Sequence, residues 1–231
     1  MSEEPPLLWP LAPGAAGGPA TDALRRAAVE CVAPEAGVQA IGALALLEHP
    51  ALEHPALGLF CSARCSGGAI LRTLDLAHAL REAGVPVVSG FHSPVERECL
   101  RLLLRGSQPV IIYLPRDMAR LRIPPAWRGP LAAGRLLLLS VEGGEDIRAT
   151  ARTAERRNRF AAALARAALV AYAAPGGKTA ALAEWATARG QLLLTVDDPS
   201  AANLRALGAQ PLWPEGVAAW WAEVAAGRSR P

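Results

Sequence analysis

Short apolar runs alternate with segments of helical periodicity through most of the chain, and this alternation limits the available folds more than any other feature. The apolar runs occupy residues 57–61, 86–89, 109–114, 135–140, 168–173 and 191–196. The segments with helical spacing between and after them are 69–83, 94–105, 151–166, 178–189 and 200–207. Apolar runs of this length between helices are typical of buried strands in a parallel sheet. The sequence therefore predicts an α/β fold with a mostly parallel sheet and helices on both faces.

Composition divides the chain into three parts. Residues 1–20 are rich in Pro, Gly and Ala and are predicted to be disordered. Residues 21–56 are predicted to be a short helical extension and linker, with a helix over 21–32, a second helical piece over 38–50, and the duplicated "LEHPALEHPAL". Residues 57–231 are predicted to form the main domain, closed by a helix whose Trp220 and Trp221 pack against the body.

Charge and hydropathy exclude some classes of protein. Apolar residues make up 52% of the chain, but they never form the roughly 18-residue run that a membrane span requires. The N-terminal "MSEEPPLLWP" lacks the basic and then apolar layout of a secretory signal, so we expect a cytoplasmic protein with no membrane partner. The net charge is only +3, and Lys178 is the single lysine among many arginines. The position of the cations, rather than their number, must therefore indicate a binding site.

The four cysteines, Cys31, Cys61, Cys65 and Cys99, show no spacing typical of a disulfide framework. The separation of Cys61 and Cys65 makes a zinc site conceivable. Since no second close pair of Cys or His accompanies them, we expect buried or half-buried thiols instead. No metal site and no cofactor is predicted.

Three turns rich in small residues follow predicted strands and open predicted helices, at residues 62–68, 90–96 and 174–179. In the second turn, Ser93 is placed to cap a helix, with Pro94 at its first position and Glu96 completing a capping box. Ligands of parallel α/β sheets bind outside the carboxyl ends of the strands, and helix N-termini favour anions. These turns therefore predict a crevice that binds phosphate.

The segment "YAAPGGKTAAL" resembles half of a P-loop, but the match fails. A P-loop needs a glycine five residues before the Gly-Lys pair, and that position is Tyr172. Gly176 and Gly177 then either cradle phosphate or merely turn the backbone into the helix at 178–189. The nearby "ERRNRF" leaves a similar choice between a contribution to the crevice and a solvated helix face.

These motifs together resemble the DprA/Smf family of DNA-processing proteins. The resemblance lies in "RRNRF", in "AAPGGKTAALAEW", in "ANLRALGA", in "CSARCSGG" and in "VVSGFHSPVE", and it spans roughly residues 57 to 213. It implies a Rossmann-like, doubly wound sheet. It also implies binding of single-stranded DNA or a phosphorylated nucleotide without catalysis, a recombinase partner in natural transformation, and a possible homodimer.

The resemblance assigns ligand contacts to the positions that match the family's motifs: Ser62, Arg64, Ser66, Gly67, Ser89, Gly90, Arg157, Asn158, Arg159, Gly176, Gly177 and Asn203. Arg64, Arg157 and Arg159 would be the cations of the crevice. The turns themselves add three candidates, which are His92, Lys178 and Thr179. His92 could contact phosphate or act as a general acid, and it could equally cap or pack.

The alternative function is a nucleotide-cleaving enzyme or a sensor that binds a nucleotide as its ligand. "PGGKTAALAE" also resembles the signature of LOG-type phosphoribohydrolases, which release a base from a nucleoside monophosphate, but it lacks the third glycine and Glu184 falls one position late. One residue turns a helical side chain by about 100°, so an exposed Glu184 is expected. Asp197 and Asp198, at the end of a predicted strand, could contact a ribose hydroxyl or a metal, but the pattern favours a turn with a helix cap. Phe91 and Phe160 are the aromatic residues nearest the motifs, as stacking on bases would require.

Overall fold

The computed structural model describes residues 8–11, 19–31, 37–43, 56–114, 118, 121–142 and 151–226. The strands in these residues are β1 (Leu8–Leu11), β2 (Gly37–Gly42), β3 (Leu57–Cys61), β4 (Val87–Ser89), β5 (Val110–Tyr113), β6 (Leu136–Glu142), β7 (Ala167–Tyr172), β8 (Leu192–Thr195) and β9 (Gln210–Pro211). The α-helices are α1 (Pro19–Cys31), α2 (Gly67–Glu82), α3 (Pro94–Leu103), α4 (Pro125–Ala132), α5 (Ala151–Ala163), α6 (Lys178–Ala188), α7 (Ala202–Ala206) and α8 (Val217–Ala225).

The described strands form one sheet in the order β1-β2-β6-β5-β4-β3-β7-β8-β9. Pairing is parallel from β6 through β9, while β1 and β2 join antiparallel at one end. The chain builds outward from β3 to β6, then returns and builds the other way from β7 to β9. This confirms the doubly wound, Rossmann-like prediction and places the topological switch point between β3 and β7.

Both faces of the sheet are buried, which explains why the central strands read as continuous apolar runs. Along β6, Leu137 and Leu139 join one hydrophobic cluster, while Leu136 and Leu138 join the cluster on the opposite face. Burying a leucine side chain stabilises a fold by about 1.5–3 kcal/mol. The helices on each face supply the other half of each cluster, and the loops at the strand ends remain available for ligands.

The N-terminal part corrects two sequence expectations. The helix predicted from residue 38 is instead the strand β2, which pairs with β6 through Val38 and Val141 and through Ile41 and Leu138. The strand is favoured over the helix because it covers the edge of β6 and buries residues on both faces of the sheet. Within residues 1–20, predicted to be disordered, 8–11 form β1 on β2, and α1 begins at residue 19. Residues 1–7, residues 12–18 and the first nine residues of the repeat, 47–55, lie outside the described residues.

The C-terminal helix packs as predicted. Trp220 and Trp221 of α8 lie with ring centroids 5.9 Å apart, and both contact the hydrophobic cluster that includes α2. In the described ranges, no helix is both long and apolar enough to cross a membrane.

Candidate functional site

The turns after β3, β4 and β7 meet at the switch point and enclose a cleft of about 470 Å³. The sheet places them there because the carboxyl ends of these parallel strands share one edge. The residues that line the cleft are Cys61, Ser62, Ala63, Arg64, His92, Ser93, Glu96, Asn158, Ala174, Lys178 and Thr179. Six of them are predicted site residues: Ser62, Arg64, His92, Asn158, Lys178 and Thr179.

The first turn, after β3, is tied to the third turn by Ser62. Its backbone N–H donates to the Tyr172 carbonyl at 2.9 Å, and its Oγ accepts from the Ala174 N–H at 3.0 Å. These bonds extend the β3–β7 pairing past the ends of the strands. Ser62 therefore holds the two turns at a fixed separation, and Arg64 follows it at the cleft wall, exposed to solvent.

The third turn, after β7, is a type II β-turn. The Gly177 N–H donates to the Ala174 carbonyl at 2.9 Å, Pro175 occupies the second position, and Gly176 has a φ of +67°. A Cβ on Gly177 would lie 2.9 Å from that same carbonyl oxygen. Both glycines are therefore required by the backbone. No side chain caps α6, which begins at Lys178 beside the cleft.

The second turn, after β4, is organised by Glu96. Ser93 and Glu96 form the predicted capping box at the start of α3. The buried Glu96 carboxylate also accepts backbone N–H bonds from His92 at 2.7 Å, from Ser93 at 3.0 Å and from Cys61 at 2.8 Å. Because Cys61 ends β3, Glu96 joins the second turn to the first.

Phe91 holds the same turn in an unusual backbone conformation. It is the only non-glycine residue with a positive φ in the described residues, at +50°, and its side chain is buried in the core. Ser89 accepts a hydrogen bond from the Phe91 N–H at 3.1 Å. Strained residues of this kind occur where the surrounding structure fixes them, often at binding sites. Ser89 and Gly90 are buried and shape the turn without lining the cleft.

The cations that line the cleft differ from seven arginines that pair with carboxylates elsewhere in the described residues. Arg64 and Lys178 are exposed, and neither has a carboxylate partner among the described residues. Many arginines elsewhere are paired, as Arg189 is with Glu30 at 2.7 Å. The one lining carboxylate, Glu96, is buried and held by backbone N–H groups. The cleft therefore presents positive charge to a ligand.

Helix α5 contributes Asn158 to the lining of the cleft, whereas the Arg159 side chain contacts other residues. The Arg159 guanidinium pairs with Glu155 at 2.7 Å and lies 5.9 Å from the centre of the Trp185 ring. Arg159 is not among the residues that line the cleft, so this geometry does not support its predicted role. The backbone of Arg157 lies in α5, but its side chain falls outside the described residues.

The remaining predicted residues around the first turn are structural in this geometry. Ser66 caps α2 by accepting from the Ala69 N–H at 3.1 Å, and its hydroxyl donates to Asp198 at 3.3 Å. Gly67 begins α2 and leaves the surface there open. The side-chain hydrogen bond from Ser200 is the largest of several contacts that hold the pKa of Asp198 below its ordinary value. Asp198 thus acts as the cap of the turn after β8, as the sequence predicts.

Asn203 supports the third turn from outside the cleft. Its side-chain N–H donates to the Ala173 carbonyl at 2.9 Å, immediately before the type II turn. The resemblance assigns this position to the site, and the structure gives it a positioning role. Glu184, in contrast, is exposed on α6 and does not line the cleft.

The cysteines behave as buried and half-buried thiols. Burial raises the pKa of Cys31 and of Cys99 to about 12, and burial followed by the neighbouring Cys65 raises the pKa of Cys61. Cys65 is partly exposed. No group of three or more side chains suited to a metal ion occurs in the described part of the chain.

Solved structures of similar fold include two DNA processing proteins. That from Streptococcus pneumoniae has a TM-score of 0.62 at 21% identity, over 79% of this chain and 65% of its own. That from Helicobacter pylori, described for its mode of binding single-stranded DNA, has a TM-score of 0.64 at 18% identity, over 81% of this chain and 87% of its own. At these identities the likeness shows the fold. This chain spans 65% of the length of the S. pneumoniae chain.

A molybdenum cofactor binding protein from Rippkaea orientalis is also similar, with a TM-score of 0.51 at 12% identity, over 74% of this chain and 97% of its own. This likeness, too, concerns the fold alone. Among curated protein sequences, none is similar enough to count as a match.

The family described as DNA recombination-mediator protein A matches residues 42–226, most of the 231-residue chain. The match begins within β2 and ends after α8, so it includes the turns that build the cleft. Together with the fold it confirms the resemblance drawn from the sequence motifs. The chain belongs to the DNA recombination-mediator protein A family, the DprA/Smf proteins.

Proposed function

We propose that the cleft at the switch point binds the sugar-phosphate backbone of single-stranded DNA. The observation that carries this proposal is the pair of exposed cations, Arg64 and Lys178, which line one cleft and have no carboxylate partners in the described residues. A cation left unpaired beside a preformed cleft is suited to an anionic ligand, and the arginine fork matches the geometry of phosphate.

Backbone groups add to this electrostatic preference. Helix α6 starts at the cleft without a side-chain cap, so the partial positive charge of its N-terminus faces the same space. Ser62 and Thr179 bring hydroxyl groups to the wall, and Asn158 brings an amide. These groups can donate to phosphate or sugar oxygens, which fixes the position of a strand without reading its sequence.

Membership of the family supports DNA, rather than a free nucleotide, as the ligand. The H. pylori relative is described as binding single-stranded DNA. We propose the same ligand class here, bound without cleavage, because Glu184, the residue a base-releasing hydrolase would need, is exposed on α6 and does not line the cleft. We extend the proposal to a recombinase partner and to pairing of two copies of the chain, and this extension rests on family membership alone.

The test is fluorescence anisotropy of a labelled oligothymidylate at fixed ionic strength. Arg64→Ala and Lys178→Ala should each weaken binding about fivefold, since an exposed charge-assisted contact contributes about 1 kcal/mol. The control is Arg105→Ala, an exposed arginine beyond the C-terminal end of α3 and therefore at the opposite edge of the sheet. Equal losses in all three variants would refute the cleft as the binding site.

A second arm separates DNA from a nucleotide ligand. Excess nucleoside monophosphate should not displace the oligonucleotide, because one phosphate engages only part of the cleft. Base release from that nucleotide, measured by chromatography, should equal the rate without protein. Full displacement together with base release would instead establish a hydrolase of the LOG kind. Light scattering at the same protein concentration, with and without a recombinase, tests the two partner proposals.

A further inference from the structure

The two aromatic residues nearest the sequence motifs are not available for stacking on bases. Phe91 is 4% exposed and Phe160 is fully buried, where it packs against Tyr113 with ring centroids 4.7 Å apart. Proteins that bind single strands without sequence preference usually combine a basic groove with aromatic side chains on which bases stack. If the cleft holds the backbone, an aromatic side chain elsewhere must be sought for the bases.

Trp213 is the one exposed tryptophan among the side chains that the structure describes, with half of its surface in water. It follows β9, and the Leu212 N–H still continues the ladder by donating to the Thr195 carbonyl at 2.9 Å. Leu212 is buried, so the alternation of an extended strand turns Trp213 outward. The exposure of this indole is therefore a consequence of the sheet register.

The indole is also held in place. Its Nε1 donates to Asp197 Oδ2 at 3.4 Å, and Arg205 donates to the other oxygen of the same carboxylate at 2.8 Å. Asp197 thus orients the edge of the ring while Arg205 neutralises its charge. An indole anchored by its N–H and open on its face loses little entropy when a base stacks on it.

The position of Trp213 matches that of the cleft. Strands β7, β8 and β9 are parallel neighbours, so Trp213 lies at the same carboxyl edge as the turn after β7. Two strand spacings separate β9 from β7, which is about 10 Å along this edge. An oligonucleotide whose phosphate lies in the cleft can therefore reach the indole within a short run of nucleotides.

We propose that Trp213 is a base-stacking residue for single-stranded DNA whose backbone occupies the cleft. This inference rests on the proposed function and adds to it the group that contacts the bases. Because every base has an aromatic face, such a contact strengthens binding without selecting a sequence. The neutralised Asp197–Arg205 pair beside the ring leaves no unpaired carboxylate from Asp197 to repel the strand.

The experiment compares two labelled ligands of equal length and charge: an oligothymidylate and an abasic sugar-phosphate oligomer. Each has about 15 residues, which is within the usual site sizes for single strands. Trp213→Ala should weaken oligothymidylate binding about tenfold, from the loss of one stacked base. It should leave binding of the abasic oligomer and the salt dependence of both unchanged. Trp213→Phe should restore most of the affinity because it keeps an aromatic face. The control is Val29→Ala, which removes exposed apolar surface from α1.

The outcomes separate this inference from the proposed function. If the wild-type protein binds neither ligand, the proposed function fails and this inference fails with it. If Trp213→Ala binds both ligands as the wild type does, the cleft proposal stands and the role of Trp213 is wrong. A change in sedimentation without a change in DNA binding would assign Trp213 to contact with another protein copy and would also overturn the inference. Unchanged thermal unfolding of Trp213→Ala confirms that a loss is local.

Discussion

The Glu96 carboxylate should contribute several times more to the free energy of unfolding than Glu98, the other glutamate of α3. It is buried, and it accepts three backbone N–H bonds, with Cys61 on one oxygen and with His92 and Ser93 on the other. In Glu96→Gln, the single amide oxygen can keep the pair at His92 and Ser93. The amide N–H₂ then faces the Cys61 N–H, so one buried donor loses its acceptor and meets a second donor.

The cost follows from these contacts. An unsatisfied buried donor costs about 1–3 kcal/mol, and the bonds that remain are weaker because the acceptor is no longer charged. We therefore expect Glu96→Gln to lower the free energy of unfolding by about 3 kcal/mol. For a chain of this size that shifts the melting temperature by roughly 6–12 °C.

Urea unfolding followed by circular dichroism measures this loss, and Glu98→Gln is the matched control. Glu98 is on the same helix and forms an ion pair with Arg101 at the surface. Surface pairs of this kind contribute about 0.2–1 kcal/mol. A loss in Glu96→Gln no larger than in Glu98→Gln would show that the three-bond description of the second turn is wrong.

Three further changes test other parts of the site. Gly176→Ala places a Cβ on a residue with φ of +67° and should cost about 1–2 kcal/mol in urea unfolding, whereas Ala181→Gly on α6 should cost about 1 kcal/mol through propensity alone. The pKa of Asp198 is lowered in the fold, chiefly by hydrogen bonds from Ser200, so the stabilisation by its charged form is present at neutral pH and is lost as pH falls below the ordinary value of 3.8. The Asp198→Asn variant should therefore be less stable than the wild type at neutral pH and should lose less stability on acidification. Parallel profiles of stability against pH for the two proteins would contradict this. Burial raises the pKa of Cys31 and Cys99 to about 12, so in the native protein at pH 8 a thiol reagent should modify Cys65 first and the other cysteines only after urea is added, as peptide mass spectrometry can check.

Local patterns in the sequence were enough to predict the central sheet and the second turn. The apolar run at 109–114 contains β5, and the run at 135–140 covers most of β6, since strands buried on both faces need apolar residues at nearly every position. The capping box of Ser93 and Glu96 was predictable because its partners are three residues apart. The bond from Cys61 to Glu96 spans 35 residues, and no local pattern indicates it.

The features that the sequence does not predict depend on packing between distant parts of the chain. The sequence of β2 also fits a helix, because short apolar stretches are compatible with either structure, and only pairing with the edge of β6 decides between them. Arg159 lies in the family's motif, but its side chain pairs with Glu155 and lies near the Trp185 ring, and it does not line the cleft. The position of Trp213 cannot be predicted from the sequence, because nothing near it shows that β9 ends at the same edge as the cleft.

The salt dependence of single-stranded DNA binding tests the central claim most directly, because it counts phosphate contacts rather than total affinity. The dissociation constant of a labelled oligothymidylate would be measured across a salt series for the wild-type protein, for Arg64→Ala with Lys178→Ala, and for Arg105→Ala. Each lost phosphate contact lowers the slope of log K against log salt by about 0.7 for a single strand. The cleft account predicts a slope smaller by about 1.4 in the double variant and unchanged in Arg105→Ala; an unchanged slope in the double variant would contradict it.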